Sequence, residues 1–255
     1  MSEFSRCISA ELLKIKRTLA LRLAVLAPLI IVVLVFAATA QRGGTPAAGV
    51  NPLVGFAQLN LTLWTIVMLP FYAAMAAALL AAIEHSGDNW KYLLTLPISR
   101  QKLFLSKWLV GLTLLLLSTL VLAAGICLGA AVLRFCKPGW HQAAVPIGIV
   151  ALRTLQTFLA AVLLWSIQMW ISVRWRNFIV GLVVGVIAAM IMLAGVPRAQ
   201  NAPIFVNVYP WSLPAMAMAR MAEEMPSRIF PIAWGAVGGI AIGLAACRHL
   251  SRREY

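Results

Sequence analysis

The chain has 255 residues, 62% of them apolar and only 11% charged, whereas a soluble domain runs about 45–50% apolar and about 25% charged. That balance excludes a single water-soluble globular domain and indicates an integral membrane protein. The 21 Lys and Arg against 7 Asp and Glu, a net charge of +14, then speak first about orientation in a bilayer rather than about nucleic acid.

In chain order, Phe4, Ile8, Glu11, Leu12 and Ile15 fall near helical spacing, with Lys14, Lys16 and Arg17 behind them. Residues Phe4 to Arg17 therefore suit an amphipathic helix in the headgroup layer, an elbow ahead of the first span. A charged anchor that only fixes topology is the simpler alternative. The first 22 residues carry both signs of charge, and no small-residue cleavage site follows the first apolar run, so an uncleaved signal anchor is expected. Six spans follow, at Leu23 to Ala40, Leu61 to Ile83, Trp108 to Leu133, Ile147 to Val173, Phe178 to Val196 and Ile229 to Cys247, each long enough to satisfy its backbone within lipid. Alternate connections divide the Lys and Arg residues fourteen to seven. The richer side includes both ends of the chain, which predicts cytoplasmic termini.

The connection from Glu84 to Trp108, EHSGDNWKYLLTLPISRQKLFLSKW, is the most informative. Trp90, Leu93 and Leu94 would line one face of a short helix that Pro97 stops, since proline lacks the amide donor and disfavours helix in the residue before it. Ser99 then stands where an N-cap belongs, opening a helix through Lys102 and Lys107 into the third span. A short apolar face on a solvent-side loop needs either the membrane surface or a protein partner to cover it, and spacing alone leaves that choice open. On the outer side, Gln41 to Asn60 reads as a Gly and Pro linker and Phe135 to Val145 as a short loop. The 197–228 connection is punctuated by Pro203, Pro210, Pro214 and Pro226, and Pro214 to Met225 suits a short amphipathic helix over a pathway, or an ordered surface loop.

Catalytic constellations are missing. There is no GxxxxGK[ST] run, no HExxH and no GxSxG; His85, His141 and His249 fall in separate segments. Cys7, Cys127, Cys136 and Cys247 show no CxxC spacing and read as apolar fillers rather than as a metal site. No catalytic residue and no metal ligand is therefore expected. Ionisable groups are nearly absent from the spans, which suits an apolar or amphipathic cargo better than an inorganic ion. Thr62, Thr65, Gln156, Thr157 and Gln168 are the mildly polar candidates for a pathway, although such residues more often hydrogen-bond between helices. Gly125 with Gly129, Gly181 with Gly185, and Gly235, Gly239 and Gly243 recur at four-residue spacing, which lets helices approach closely. Packing within the chain explains that spacing without a dimer.

Taken together, these features resemble the permease subunits of ABC-2 type transporters. Glu84 followed by Trp90, Lys91, Leu93, Leu96, Pro97, Ser99, Arg100 and Lys107 is similar to that family's acidic residue, W-K-x-L-x-x-L-P-x-S-R run and Lys entering the third span. The ELLKIKR start at Glu11 to Arg17 and the Pro210–Trp211 pair resemble the lantibiotic-immunity and bacitracin-resistance branch. The resemblance implies an all-α membrane protein with one transmembrane domain over 1–255, an interfacial helix at 4–17 and a cytoplasmic coupling helix between spans two and three. Residues 84–100 would dock in a separate ATPase subunit, with Trp90, Leu93 and Leu94 as apolar anchors and Lys91, Arg100 and Lys102 as the polar rim. ATP and Mg would be bound by that partner and no cofactor by this chain. A second permease, identical or paralogous, would complete the complex in a bacterial cytoplasmic membrane, exporting or extracting an amphipathic peptide, lipid-like compound or antibiotic. A scaffold or maturation factor that recruits a cytoplasmic partner without moving anything is the competing expectation.

Overall fold

The computed structural model describes residues 3–42, 49–85, 99–175, 177–195, 208–219 and 229–251, and all regular structure among them is helical. Helix α1 is Glu3–Ile15, α2 Leu19–Gln41, and α3 Pro52–Leu63, which passes through a π-helical turn at Trp64–Met68 into α4, Leu69–His85. Helix α5 is Arg100–Cys136, α6 Ile147–Arg174, α7 Phe178–Gly195 and α8 Leu213–Ala219. Helix α9, Ile229–Ala233, continues through a second π-turn, Trp234–Gly238, into α10, Gly239–Ser251. Six of the resulting rods are long and apolar enough to cross a membrane. Most of the residues expected to couple to a partner, Trp90, Lys91, Leu93, Leu94 and Pro97, lie outside the described residues.

Two stretches differ from the sequence expectation. Residues 52–60 are helical rather than part of a linker: Pro52 occupies the first turn, where its missing N–H is harmless, and Asn51 caps the helix by accepting a hydrogen bond from Leu53 N at 3.0 Å. In the 197–228 connection, α8 is not an amphipathic surface helix. Its sequence, LPAMAMA, is apolar on every side, and residues 211–218 are all buried. Residues 220–225 of the expected helix lie outside the described ones.

Helix α6 runs through the centre. Its residues 160–166 are buried without interruption, because α3, α4, α5, α7, α8, α9 and α10 all pack against it. Lipid tails are as apolar as leucine, so the helices hold together by close packing rather than by hydrophobic transfer. The glycines supply that closeness. A Cβ on Gly235 would lie 2.5 Å from the Ala160 backbone, one on Gly239 2.6 Å from the backbone of Val162 and Leu163, and one on Gly185 2.5 Å from Ala74 Cβ. Gly181 meets Ser172, Gly243 meets the Trp108 indole, and Gly125 and Gly129 seat Val32 and Phe56. Trp165, fully buried, packs directly against Gly111.

A few directional bonds fix the register. Trp108 Nε1 donates to Ser166 Oγ at 3.0 Å, Tyr72 Oη to the Leu114 carbonyl at 3.0 Å, and Gln168 Nε2 to the Gly181 carbonyl at 2.6 Å. At the end of the bundle away from α1, Lys137 Nζ donates to the carbonyls of Thr39 and Arg42, a cation placed where the orphan carbonyls of α2 point. The first π-turn also has a local cause. Pro70 has no N–H to return to Ile66, and its ring crowds that carbonyl in a regular helix, so the chain widens just ahead of it.

The small-residue seam makes a direct prediction. Gly235→Ala is expected to destabilise the solubilised protein by about 1–3 kcal/mol, as overpacking does. Gly148→Ala, whose Cβ would meet nothing within 4 Å, leaves the melting temperature unchanged or slightly raised.

Candidate functional site

Helix α1 ends where Thr18 Oγ1 and Thr18 N both turn back to the Ile15 carbonyl at 2.9 Å, so it is a separate rod from α2. It does not merely float on a surface. Cys7, Glu11 and Ile15 are buried, all on one helical face, and that face packs on the first turns of α5. Leu12 lies off that face and is 43% exposed.

At the centre of the contact stands an ion pair. Lys107 Nζ donates to Glu11 Oε2 at 2.8 Å, and both side chains are nearly inaccessible, at 1% and 3%. Lys14 Nζ, one turn along α1, donates to Glu11 Oε1 at 2.9 Å, and Lys107 Nζ also lies 3.5 Å from the Leu80 carbonyl near the end of α4. The cluster thus joins α1, α4 and α5 at one point. Two charges taken out of water carry a desolvation cost that their attraction offsets only with good geometry. Here each carboxylate oxygen has its own ammonium. A second, exposed contact repeats the link at the start of both helices: Lys102 Nζ meets Glu3 Oε2 at 2.5 Å and, through that hydrogen bond first and its charge second, holds the Glu3 carboxyl below its ordinary value.

The sequence reading places Lys107 on the helix entering the third span, as the motif's Lys, and Glu11 on an interfacial face, and gives neither of them the other as a partner. The available signal is that Lys107 is flanked by Leu103, Phe104, Trp108 and Val110, which makes it a cation on an otherwise apolar stretch of helix. Of the residues assigned to the coupling segment, Ser99 stands at the N-cap of α5, with its carbonyl accepting from Leu103 N at 3.2 Å and its hydroxyl capping nothing. Arg100 opens α5, Lys102 faces α1, and Glu84 belongs to the last turn of α4.

The pathway candidates have separate hydrogen-bond partners. Thr65 Oγ1 donates back to the Leu61 carbonyl at 2.9 Å, Thr62 accepts from Gln58 Nε2 at 3.3 Å, Gln156 accepts from Arg153 at 3.0 Å, and Gln168 ties α6 to α7. Of these five, Thr157 has a buried hydroxyl and Gln168 a buried amide oxygen without a hydrogen-bond partner. Among the described residues no cluster of His, Cys, Asp and Glu could hold a metal ion, and all four cysteines are free.

The family model described as ABC-2 family transporter protein matches residues 7–192, a stretch that takes in the α1–α5 contact and the first five spans. The chain belongs to that family. No curated protein matches it. ABC-2 permeases are the membrane components of transporters, are not themselves catalytic, and typically work with an ATPase partner. For this ABC-2 permease the match and the six apolar rods together mean a multi-pass membrane protein with a transport role.

Removing one member of the buried pair takes a closely placed opposite charge from the other. Glu11→Gln is therefore expected to destabilise the purified permease by about 3–5 kcal/mol. The double variant Glu11→Gln, Lys107→Met is expected to recover part of that loss. Thermal unfolding of the two variants beside the wild type is the measurement, and a double variant no better than the single would show that the charges are not acting as a pair.

Proposed function

We propose that this chain is the permease subunit of an ATP-driven ABC-2 exporter or extractor, coupled through residues 84–100 to a separate ATPase subunit that binds ATP and Mg. The observation that carries the reading is the buried Glu11–Lys107 pair. Lys107 lies seven residues into α5 from Arg100, about 10 Å along a continuous helix, so a push on the coupling segment is delivered to α1, α4 and α5 together. Trp90, Leu93 and Leu94 anchor that segment in the ATPase, with Lys91, Arg100 and Lys102 around them. Closure of two ATPase subunits on ATP then favours one arrangement of two permease bundles, identical or paralogous, through a difference in binding energy between the states.

The α1 end of the bundle faces the cytoplasm, as the fourteen-to-seven distribution of Lys and Arg supports, and the protein resides in a bacterial cytoplasmic membrane. The cargo is an amphipathic peptide or a lipid-like compound, in keeping with a span interior whose described charges gather at the ends. Self-protection against a lantibiotic-type or bacitracin-type antibiotic is the role that the motif similarity favours.

Trp90→Ala and Leu94→Asp are expected to abolish co-purification of the ATPase from mild detergent while leaving the permease inserted at wild-type levels. Unchanged ATPase recovery with both variants overturns the coupling assignment and moves a non-transporting scaffold ahead.

A further inference from the structure

A narrow cleft, about 280 Å³ with its open side included, runs between α5, α6 and α10. Phe104, Trp108, Met169, Val173, Cys247 and Leu250 line it, and Lys107, whose ammonium holds Glu11 of α1, places it at the α1 end of the bundle. Its origin is local. At Gly243, α10 packs so closely on Trp108 that a Cβ would lie 2.6 Å from the indole, whereas one turn further on Ala246 and Cys247 are too short to fill the space that remains.

The polar groups on its walls are engaged. Trp108 Nε1 donates to Ser166 Oγ at 3.0 Å, Ser166 Oγ donates to the Val162 carbonyl at 2.8 Å, and Lys107 Nζ is committed to Glu11. With these groups paired, the walls offer an occupant apolar contact, which suits a single alkyl chain. Trp170 lines the cleft yet is 37% exposed, so the cleft is reached from the membrane rather than sealed. Its indole N–H donates to His249 Nδ1 at 3.4 Å, which sets the last turns of α6 and α10 side by side.

Just past the cleft both helices turn basic. Val173 and Cys247 line it, and the next residue in each helix is an arginine, Arg174 and Arg248. Arg174 lies over the Trp175 ring at 5.5 Å and Arg248 is exposed. Among the described residues neither is in an ion pair, and the α1 carboxylates at this end, Glu3 and Glu11, are held by lysines. Indole rings gather at the level of the lipid headgroups, the level that Trp170 and Trp175 mark here. An apolar cleft that ends at two arginines complements an anionic amphiphile: the chain lies among the side chains and the phosphate meets guanidinium groups, which bind it well.

We propose that this cleft binds an anionic phospholipid of the leaflet on the α1 side, with one acyl chain against Trp108 and Met169 and the phosphate at Arg174 and Arg248. The site stands on the geometry of α5, α6 and α10 and does not depend on the transporter reading. Because Phe104 and Lys107 belong to its wall, a bound chain also packs beneath the contact of α5 with α1.

The test titrates the full chain in mild detergent with phosphatidylglycerol or with phosphatidylcholine of the same acyl chains, and counts bound lipid by native mass spectrometry. One phosphatidylglycerol is expected to be held more tightly than phosphatidylcholine, by about fivefold for each arginine that meets the phosphate. Replacing both arginines, Arg174→Gln with Arg248→Gln, is expected to remove that preference. Ala246→Leu and Cys247→Leu put bulk into the cleft and leave the arginines in place. Each is expected to weaken phosphatidylglycerol about tenfold, the worth of two buried methylenes, and two fillers on one wall keep the test decisive should one of them not fold. Glycerol phosphate, a head without chains, is expected not to bind. No preference for phosphatidylglycerol in the wild type, a preference that survives loss of both arginines, or undiminished binding in a folded filler variant overturns the site. Glycerol phosphate bound as tightly as phosphatidylglycerol overturns it too, by making it a site for free phosphate.

Discussion

A carboxylate and an ammonium held together out of water constrain this bundle more than any other single contact. Glu11 and Lys107 come from helices that the chain separates by two full spans, and each charge is costly to bury there without the other. Their pairing dictates that α1 lie across the base of α5, that α4 end within reach of the same ammonium, and that the connection between α4 and α5 leave and return at one place. The far end of the bundle is held differently, by a lysine on the carbonyl end of α2 and by Asn51, which caps α3 and donates to the Ala144 carbonyl at 2.9 Å. One end is therefore tied by charge and the other by capped backbone, and the two π-turns lie on the spans that run between them.

The six spans were readable because lipid imposes a blunt rule: about 20 apolar residues or no crossing. The start of α6 at Ile147 and that of α7 at Phe178 follow from where charge and helix breakers stop. What could not be read was pairing across distance. Glu11 looks like any acidic residue near a terminus, and only the fold brings Lys107 beneath it. The helix from Pro52 was mistaken for linker because Gly and Pro nearby suggest irregular chain, although Asn51-Pro52 is itself a start signal. The burial of α8 escaped for a similar reason: seven residues are too few to span a membrane, and their fate depends on whether the helices around them leave a slot.

Within the candidate site, residue chemistry was easier to foresee than residue company. Thr65 and Thr157 look alike in a sequence, two threonines in apolar runs. In the fold the first satisfies itself on its own helix and the second does not. That difference is set by the local rotamer, which periodicity does not encode. The coupling motif is the reverse case, a pattern recognisable in sequence whose residues 90–97 lie outside the described structure.

The unbroken burial of residues 160–166 bears on how the protein is made. Helix α6 leaves the ribosome fourth among the spans, yet part of its surface is closed only by Gly235 and Gly239 of the sixth. Until that last span arrives, the parts of Ala160, Val162 and Leu163 that those glycines cover face acyl chains, a stable enough lodging since lipid and leucine are nearly equivalent solvents. Assembly then finishes from the C-terminal side, when the glycine seam of the final span displaces lipid from a groove that earlier helices have already built. A nascent chain halted before that point would be inserted, correctly oriented and incomplete, with its central helix still half lipid-facing.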